Sequence, residues 1–161
     1  MMSDRLAIYL HDHRAGSNFA IHLLEGMRDQ AGDRELSEFA AEILAEVNQD
    51  RNTLQKIIDR VGEIHTDLKE AGAWLSERAS RMKLSHDEPM GLGTFEALET
   101  LALGILGKLS LWQALVLVSN FDARVRGENY RQLAARALEQ HDRVEAYRLR
   151  MTANTFSLVA K

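Results

Sequence analysis

The stretch DRELSEFAAEILAEVNQDRNTLQKIIDRVG, residues 33–62, has the length and apolar spacing of one long amphipathic helix, and it is the strongest indication of the fold in this chain. Its apolar side chains recur at three- and four-residue steps: Leu36, Phe39, Ala40, Ile43, Val47, Leu54, Ile57 and Val61. Asp33 is placed to cap the amino end, and Gly62 to end the helix. At 1.5 Å per residue such a helix is about 40 Å long, which is the dimension of a helical bundle.

The same periodicity predicts the other helices of an all-α chain. We expect long helices over about 4–31, 34–62, 95–118 and 122–156, and a shorter amphipathic helix over about 66–83 that contains Trp74. The third long helix, capped by Thr94, is apolar nearly all round, which predicts burial on several sides. The connection before it can traverse the bundle, so helices two and three are expected to run parallel.

Composition narrows the class of protein further. The 161 residues, 45% hydrophobic and 27% charged, suit one globular domain over 1–161. A net charge of −4 disfavours nucleic-acid binding, and the absence of cysteine excludes disulfides and thiolate chemistry. The first residues lack the apolar stretch of a signal peptide, so we expect a cytoplasmic protein. The apolar segment 101–121 is interrupted by Lys108 and other polar residues, which favours a buried helix over a membrane span.

Two short patterns carry a family resemblance. Residues Tyr9 to Gly16 read YLxDHxAG and residues Gly107 to Trp112 read GKxxLW. With the helix order, these resemble a bacterial branch of the ferritin-like superfamily, and the resemblance implies an antiparallel four-helix bundle with one long crossover containing a short extra helix. Di-iron members of that superfamily use Glu-x-x-His pairs, which this sequence lacks. The resemblance therefore implies a fold and no iron ligands, and we expect no cofactor.

Two polar residues lie on the apolar stripes of the first two helices. His13 falls where a core residue is expected, and Asp50 occupies the inward position of the next helix. The turn near Gly32 brings them to within about one helical turn of the same level. A buried carboxylate requires a partner, so we expect Asp50 to pair with His13 or Lys108. His11 and His22 are expected to face outward or to lie at an interface.

The remaining polar candidates leave alternatives open. Lys108, the one charged residue between Leu101 and Phe121, either reaches solvent at the edge of its helix or pairs inside with Asp50 or Glu99. Glycines near it, at positions 104 and 107, predict a tight crossing with helix one at Gly16. An atypical site for Fe, Mn or Zn would draw on a His/carboxylate set: His13, Glu46, Asp50, Glu99 and His141.

These observations favour a non-catalytic structural or interaction module with a buried His/Asp polar pair, His13 and Asp50, within a wider polar network. A homodimer is expected, since the apolar third helix offers more hydrophobic surface than one bundle needs. The alternative from another class is a metal-dependent oxidoreductase that uses the His/carboxylate set. A third hypothesis is a small-ligand carrier whose pocket lies between helices around His13 and Lys108.

Overall fold

The computed structural model of the chain describes residues 4–30, 32–64 and 91–157. Within these ranges the regular structure is helical and contains no strand, which confirms the all-α prediction. The four long helices are α1 (Arg5–Arg28), α2 (Arg34–Val61), α3 (Leu92–Val118) and α4 (Tyr130–Phe156), and a 3₁₀ turn (Ala123–Val125) precedes α4. The predicted connector helix over 66–83 and its Trp74 lie outside the described residues.

Local sequence sets the helix ends. Asp33 caps α2, because its carboxylate accepts the backbone N–H of Leu36 at 2.9 Å. Gly62 ends α2 with a φ of 116°, which glycine adopts without a steric penalty. These two ends agree with the sequence prediction. Thr94, in contrast, is not the cap of α3, which begins after Gly91; Thr94 is 1% exposed inside the helix.

The start of α4 differs from the prediction of a helix from about residue 122. Asp122 caps the short 3₁₀ turn instead, by accepting the backbone N–H of Arg124 at 3.0 Å. Gly127 follows with a φ of 110°, so the chain cannot continue as a right-handed helix at that point. Asn129 then caps α4, because its side chain accepts the backbone N–H of Gln132 at 3.1 Å.

Ion pairs at the two ends of the bundle fix the helix directions. At one end, Asp4 before α1 lies 2.6 Å from Arg124 in the α3–α4 connection, and Arg60 of α2 lies 3.5 Å from Glu128. At the other end, Arg150 of α4 lies 3.1 Å from Glu35 of α2. Two antiparallel pairs follow, α1 with α2 and α3 with α4, and α2 and α3 run in the same direction.

The core is built from the inward stripes of all four helices. Packing between α2 and α4 includes the stacked rings of Phe39 and Tyr147, with centroids 4.4 Å apart. Trp112 of α3 stacks on Tyr130 of α4 at 6.1 Å. The largest fully buried side chains, which span all three described ranges, are Trp112, Leu10, Leu24, Met27, Leu36, Ile43, Ile57, Ile58, Leu98, Leu101, Leu111 and Leu115.

The outer face of α3 departs from the predicted burial on several sides. Leu103 is 57% exposed, Leu106 37% and Leu117 65%. Among the described helices α3 is the one long and apolar enough to cross a membrane by length and composition, with a mean hydropathy of 1.8 over 18 residues, of which 33% are buried in the bundle. Its composition is thus apolar on both sides, although the bundle covers only the inner side.

Candidate functional site

Asp50 is the centre of a buried polar network that links three helices. The residue lies on the inward stripe of α2 and is 2% exposed, where an unpaired carboxylate would be costly. Its Oδ2 accepts a hydrogen bond from Lys108 Nζ on α3 at 2.6 Å, and its Oδ1 accepts one from Arg136 Nη2 on α4. Of the two partners that the sequence allowed, Lys108 is the one that binds Asp50.

Gln140 of α4 extends this network, and sequence reasoning missed it. The side chain is fully buried; its Oε1 accepts a hydrogen bond from Lys108 Nζ, and its Nε2 donates to Glu46 Oε2 at 2.9 Å. Glu46 also accepts a hydrogen bond from Arg143 at 2.7 Å. The signal was present, because position 140 continues the apolar stripe of α4 as well as position 141 does.

The charge of Lys108 is destabilised by its surroundings. Its side chain is 14% exposed, and burial is the main cause that lowers the pKa of its ammonium below the ordinary value. The Asp50 carboxylate opposes that shift, whereas the nearby charge of Arg136 adds to it. The Asp50 carboxylate therefore pairs with two cations, Lys108 and Arg136, at this point of the bundle.

His13 does not pair with Asp50, which corrects the sequence interpretation. It is half-buried on α1, with its ring centroid 4.6 Å from that of Tyr9 in an edge-to-face arrangement, and no hydrogen bond joins it to Asp50 among the described residues. Burial lowers the pKa of His13, and the charge of Asp12 only partly opposes this shift. The imidazole is therefore neutral near pH 7, where it can either donate or accept a hydrogen bond.

The buried histidine of α1 is His11, which the sequence predicts to face outward or to lie at an interface. His11 is 1% exposed, and its Nδ1 lies 2.9 Å from Arg14 Nη2. Its Nε2 lies 3.5 Å from a carboxylate oxygen of Glu63. Because α1 packs against both α2 and α3, its buried surface is wider than one apolar stripe and includes position 11.

His13 and the Asp50–Lys108 pair border a cavity of about 80 Å³ between α1, α2 and α3. The wall is formed by residues of all three helices: His13, Gly16, Ser17, Ala20, Val47, Asp50, Arg51, Leu54, Gly104, Ile105, Lys108, Leu111 and Trp112. A Cβ built on Gly16 or Gly104 would meet no atom within 4 Å. The prediction of a tight helix crossing at these glycines is therefore wrong. Because glycine has no side chain, these positions leave open space between the helices.

Trp112, one of the residues of the cavity wall, carries an unsatisfied donor that is itself buried. The side chain lines the cavity and is 1% exposed, and its Nε1–H has no hydrogen-bond acceptor in the described part of the chain. A buried donor left without a partner costs about 1–3 kcal/mol. The cavity thus combines an apolar wall with a cationic group, a carboxylate and a neutral imidazole.

The structure does not assemble the His/carboxylate set that a metal would need. Glu99 is 55% exposed and lies 3.9 Å from Arg148, and His141 lies 3.1 Å from Asp142. Neither residue joins Asp50 in the buried network. Among the residues that the structure describes, no three His, Asp or Glu side chains are grouped closely enough to hold a metal ion.

Comparison of the chain with known proteins gave no match to any family model, and no significant match to a curated protein or to a solved structure.

Proposed function

We propose that this chain is a non-catalytic interaction module of ferritin-like architecture, and that it acts as a homodimer formed through the outer face of α3. The helix directions support the ferritin-like assignment, because α2 and α3 run in the same direction and so require one long crossover. A buried network whose carboxylates are neutralised by cations from the same chain suits a scaffold better than a catalyst.

The observation that carries the proposal is the spacing of the outer face of α3, defined as Leu103, Leu106, Ser110, Gln113 and Leu117. These exposed residues alternate three- and four-residue steps, which is the heptad spacing of helices that pair through a narrow seam. The face carries no charge, because Lys108 points away from it and binds Asp50. An uncharged seam with three exposed leucines on a helix surface is typical of a helix–helix interface.

A second copy of the chain fits this face with twofold symmetry. In an antiparallel pair centred on Ser110, Leu103 of one protomer lies opposite Leu117 of its partner, since each is seven residues from Ser110. The two leucine contacts then lie about 10 Å on either side of the axis. Gly107, at which a Cβ would meet no atom within 4 Å, leaves room beside the seam for close approach.

Insertion of α3 into a membrane is the competing use of the same face. It would remove Lys108 from Asp50 and place an unpaired charge in the bilayer, which is costly by any scale. The Asp50 network therefore favours a second copy of the chain over lipid.

Sedimentation equilibrium of the full chain at micromolar to tens of micromolar concentration tests the proposal. We expect twice the chain mass of 18.2 kDa for the wild type and one chain mass for the Leu103→Glu/Leu117→Glu variant, with the same circular dichroism spectrum. Ala45→Glu, which adds charge at an exposed position of α2, is the matched control and keeps the dimer. A monomeric wild type, or a monomer that floats with phosphatidylcholine vesicles, would refute the proposal.

A further inference from the structure

We propose that the cavity between α1, α2 and α3 is a binding site for a small organic anion with a short apolar body, of the size of a short-chain carboxylate. The proposal is independent of the dimer, because it concerns the inner side of α3 and the facing sides of α1 and α2. Nothing in it requires the outer face of α3 to be covered.

The size of the cavity sets the size of the ligand. Its volume of about 80 Å³ is roughly half that of the 150 Å³ cavity known to admit benzene, so it holds a few non-hydrogen atoms. Gly16 and Gly104 are exposed and belong to the wall, so the cavity reaches the surface between α1 and α3. A Cβ at either position would meet open space, and larger side chains there would narrow the entrance.

The apolar part of the wall fits a short aliphatic body. Val47 and Leu54 come from α2, and Ile105 and Leu111 come from α3. All four are at most 3% exposed in the folded chain. A ligand of one to three carbon atoms beyond its charged group would bury those atoms against this wall and remove their apolar surface from water.

The polar part of the wall is rich in hydrogen-bond donors. Lys108 has three N–H bonds, of which two donate to Asp50 and Gln140. The third N–H of Lys108 is left to donate to a ligand oxygen at this wall.

The charges of the wall favour an anion over a neutral acceptor. Asp50 is the acidic residue of the wall, and both Lys108 and Arg136 bind the Asp50 carboxylate. Arg51 also lines the cavity, and its guanidinium donates to the Asn18 side-chain oxygen at 2.8 Å rather than to a carboxylate. The wall therefore carries two cations against one shared carboxylate, and a monoanionic ligand would neutralise the excess.

Fluorescence titration with sodium propionate tests this site. A Trp74→Phe background leaves Trp112 as the sole tryptophan, so its emission reports on the cavity wall. We expect a saturable change with propionate at constant ionic strength and binding about tenfold weaker for propionamide, since hydrogen bonds to a charged group are the stronger kind. A change reproduced by sodium chloride, or equal affinity for the amide, would overturn the proposal.

Three glycine-to-leucine variants distinguish a loss of binding caused by a blocked cavity from one caused by a general effect on the fold. Gly16→Leu and Gly104→Leu place bulk at the wall and are expected to weaken propionate binding at least tenfold. Gly26→Leu makes the same exchange on α1 away from the cavity, also in open space, and is expected to bind like the parent. Unchanged binding in both cavity variants, with helical spectra retained, would contradict the assignment of the ligand to this cavity. The mass of Gly16→Leu in sedimentation equilibrium is measured as well. If this variant is still a dimer but no longer binds propionate, the loss of binding is due to the cavity and not to the α3 interface.

Discussion

Lys108 Nζ lies 2.6 Å from Asp50 Oδ2, so the one charged side chain in the apolar stretch from Leu101 to Phe121 is paired inside the bundle. This contact joins α2 to α3, which are diagonal partners with no direct hairpin between them. Because Arg136 of α4 binds the other carboxylate oxygen, Asp50 connects three helices at one level. The network therefore fixes how the two hairpins are aligned along their length.

Removal of the buried carboxylate is expected to be strongly destabilising. Asp50→Ala leaves Lys108 buried without its anion, which should lower the free energy of unfolding by about 3 kcal/mol or more. Asp50→Leu/Lys108→Met removes both charges together and should lose less than the single substitution. Urea denaturation followed by circular dichroism measures both. Arg34→Ala, which breaks an exposed pair with Glu38, is the control and should lose under about 1 kcal/mol. A loss of that size for Asp50→Ala would contradict the structural role of the network.

His13 should make the fold less stable in mild acid. Its folded pKa lies below the ordinary value of 6.5 because of burial, so the unfolded chain binds the proton more readily. The contribution of the neutral His13 to the free energy of unfolding is then full above pH 6.5 and is lost as the pH falls toward the folded pKa. Unfolding free energies measured between pH 7.5 and 5.5 should show a decline in the wild type that is shallower in His13→Gln. Parallel curves for the two proteins would show that His13 does not contribute.

Glycine-to-alanine substitutions should change the free energy of unfolding in opposite directions at two kinds of position. Gly26→Ala and Gly104→Ala lie within helices and meet no atom within 4 Å, so each should raise the unfolding free energy by up to about 1 kcal/mol. Gly62 has a φ of 116°, and Gly62→Ala should therefore be destabilising by about 1 kcal/mol. Thermal unfolding of the three variants provides the measurement. A destabilised Gly104→Ala would mean that its apparent open space is filled in solution.

Tyr130 should weaken the fold at high pH. Burial raises its pKa to about 12, so the unfolded chain loses the phenol proton first and stability declines as the pH rises from 10 to 12. The hydroxyl also donates a hydrogen bond to the backbone oxygen of Val125. Tyr130→Phe should lose about 1 kcal/mol near pH 7 and show a shallower decline above pH 10. Absorbance titration of the phenolate, with Tyr130→Phe as reference, checks the pKa directly.

Sequence periodicity was sufficient to predict the four long helices and much of the core. The apolar spacing of residues 33–62 gave α2 to within a residue or two at each end, because a capping aspartate and a left-handed glycine stop a helix locally. The same spacing placed Asp50 on the inward side, where it is 2% exposed. Local rules did less well for α4, where Asp122 caps a 3₁₀ turn before the helix proper begins.

The partners of the inward polar residues could not be predicted from periodicity. Residues two apart on a helix differ by about 200° in direction, and a helix with two neighbours buries a wide arc, so the choice between His11 and His13 depends on how α1 is rotated. Gln140 and His141 of α4 are one residue apart and differ by about 100°, so the choice between them likewise depends on how α4 is rotated. The rotation is set by packing with the other helices, which involves residues far away in the chain.

Residues within a few helical turns of one another are enough to predict the four long helices, the inward position of Asp50 and the apolar character of α3. Two features instead follow from how the helices pack: Lys108 pairs with Asp50 while His13 does not, and Gly16 and Gly104 border a cavity rather than a tight crossing. These outcomes depend on the rotation and separation of whole helices, which follow from the packing of all their side chains at once.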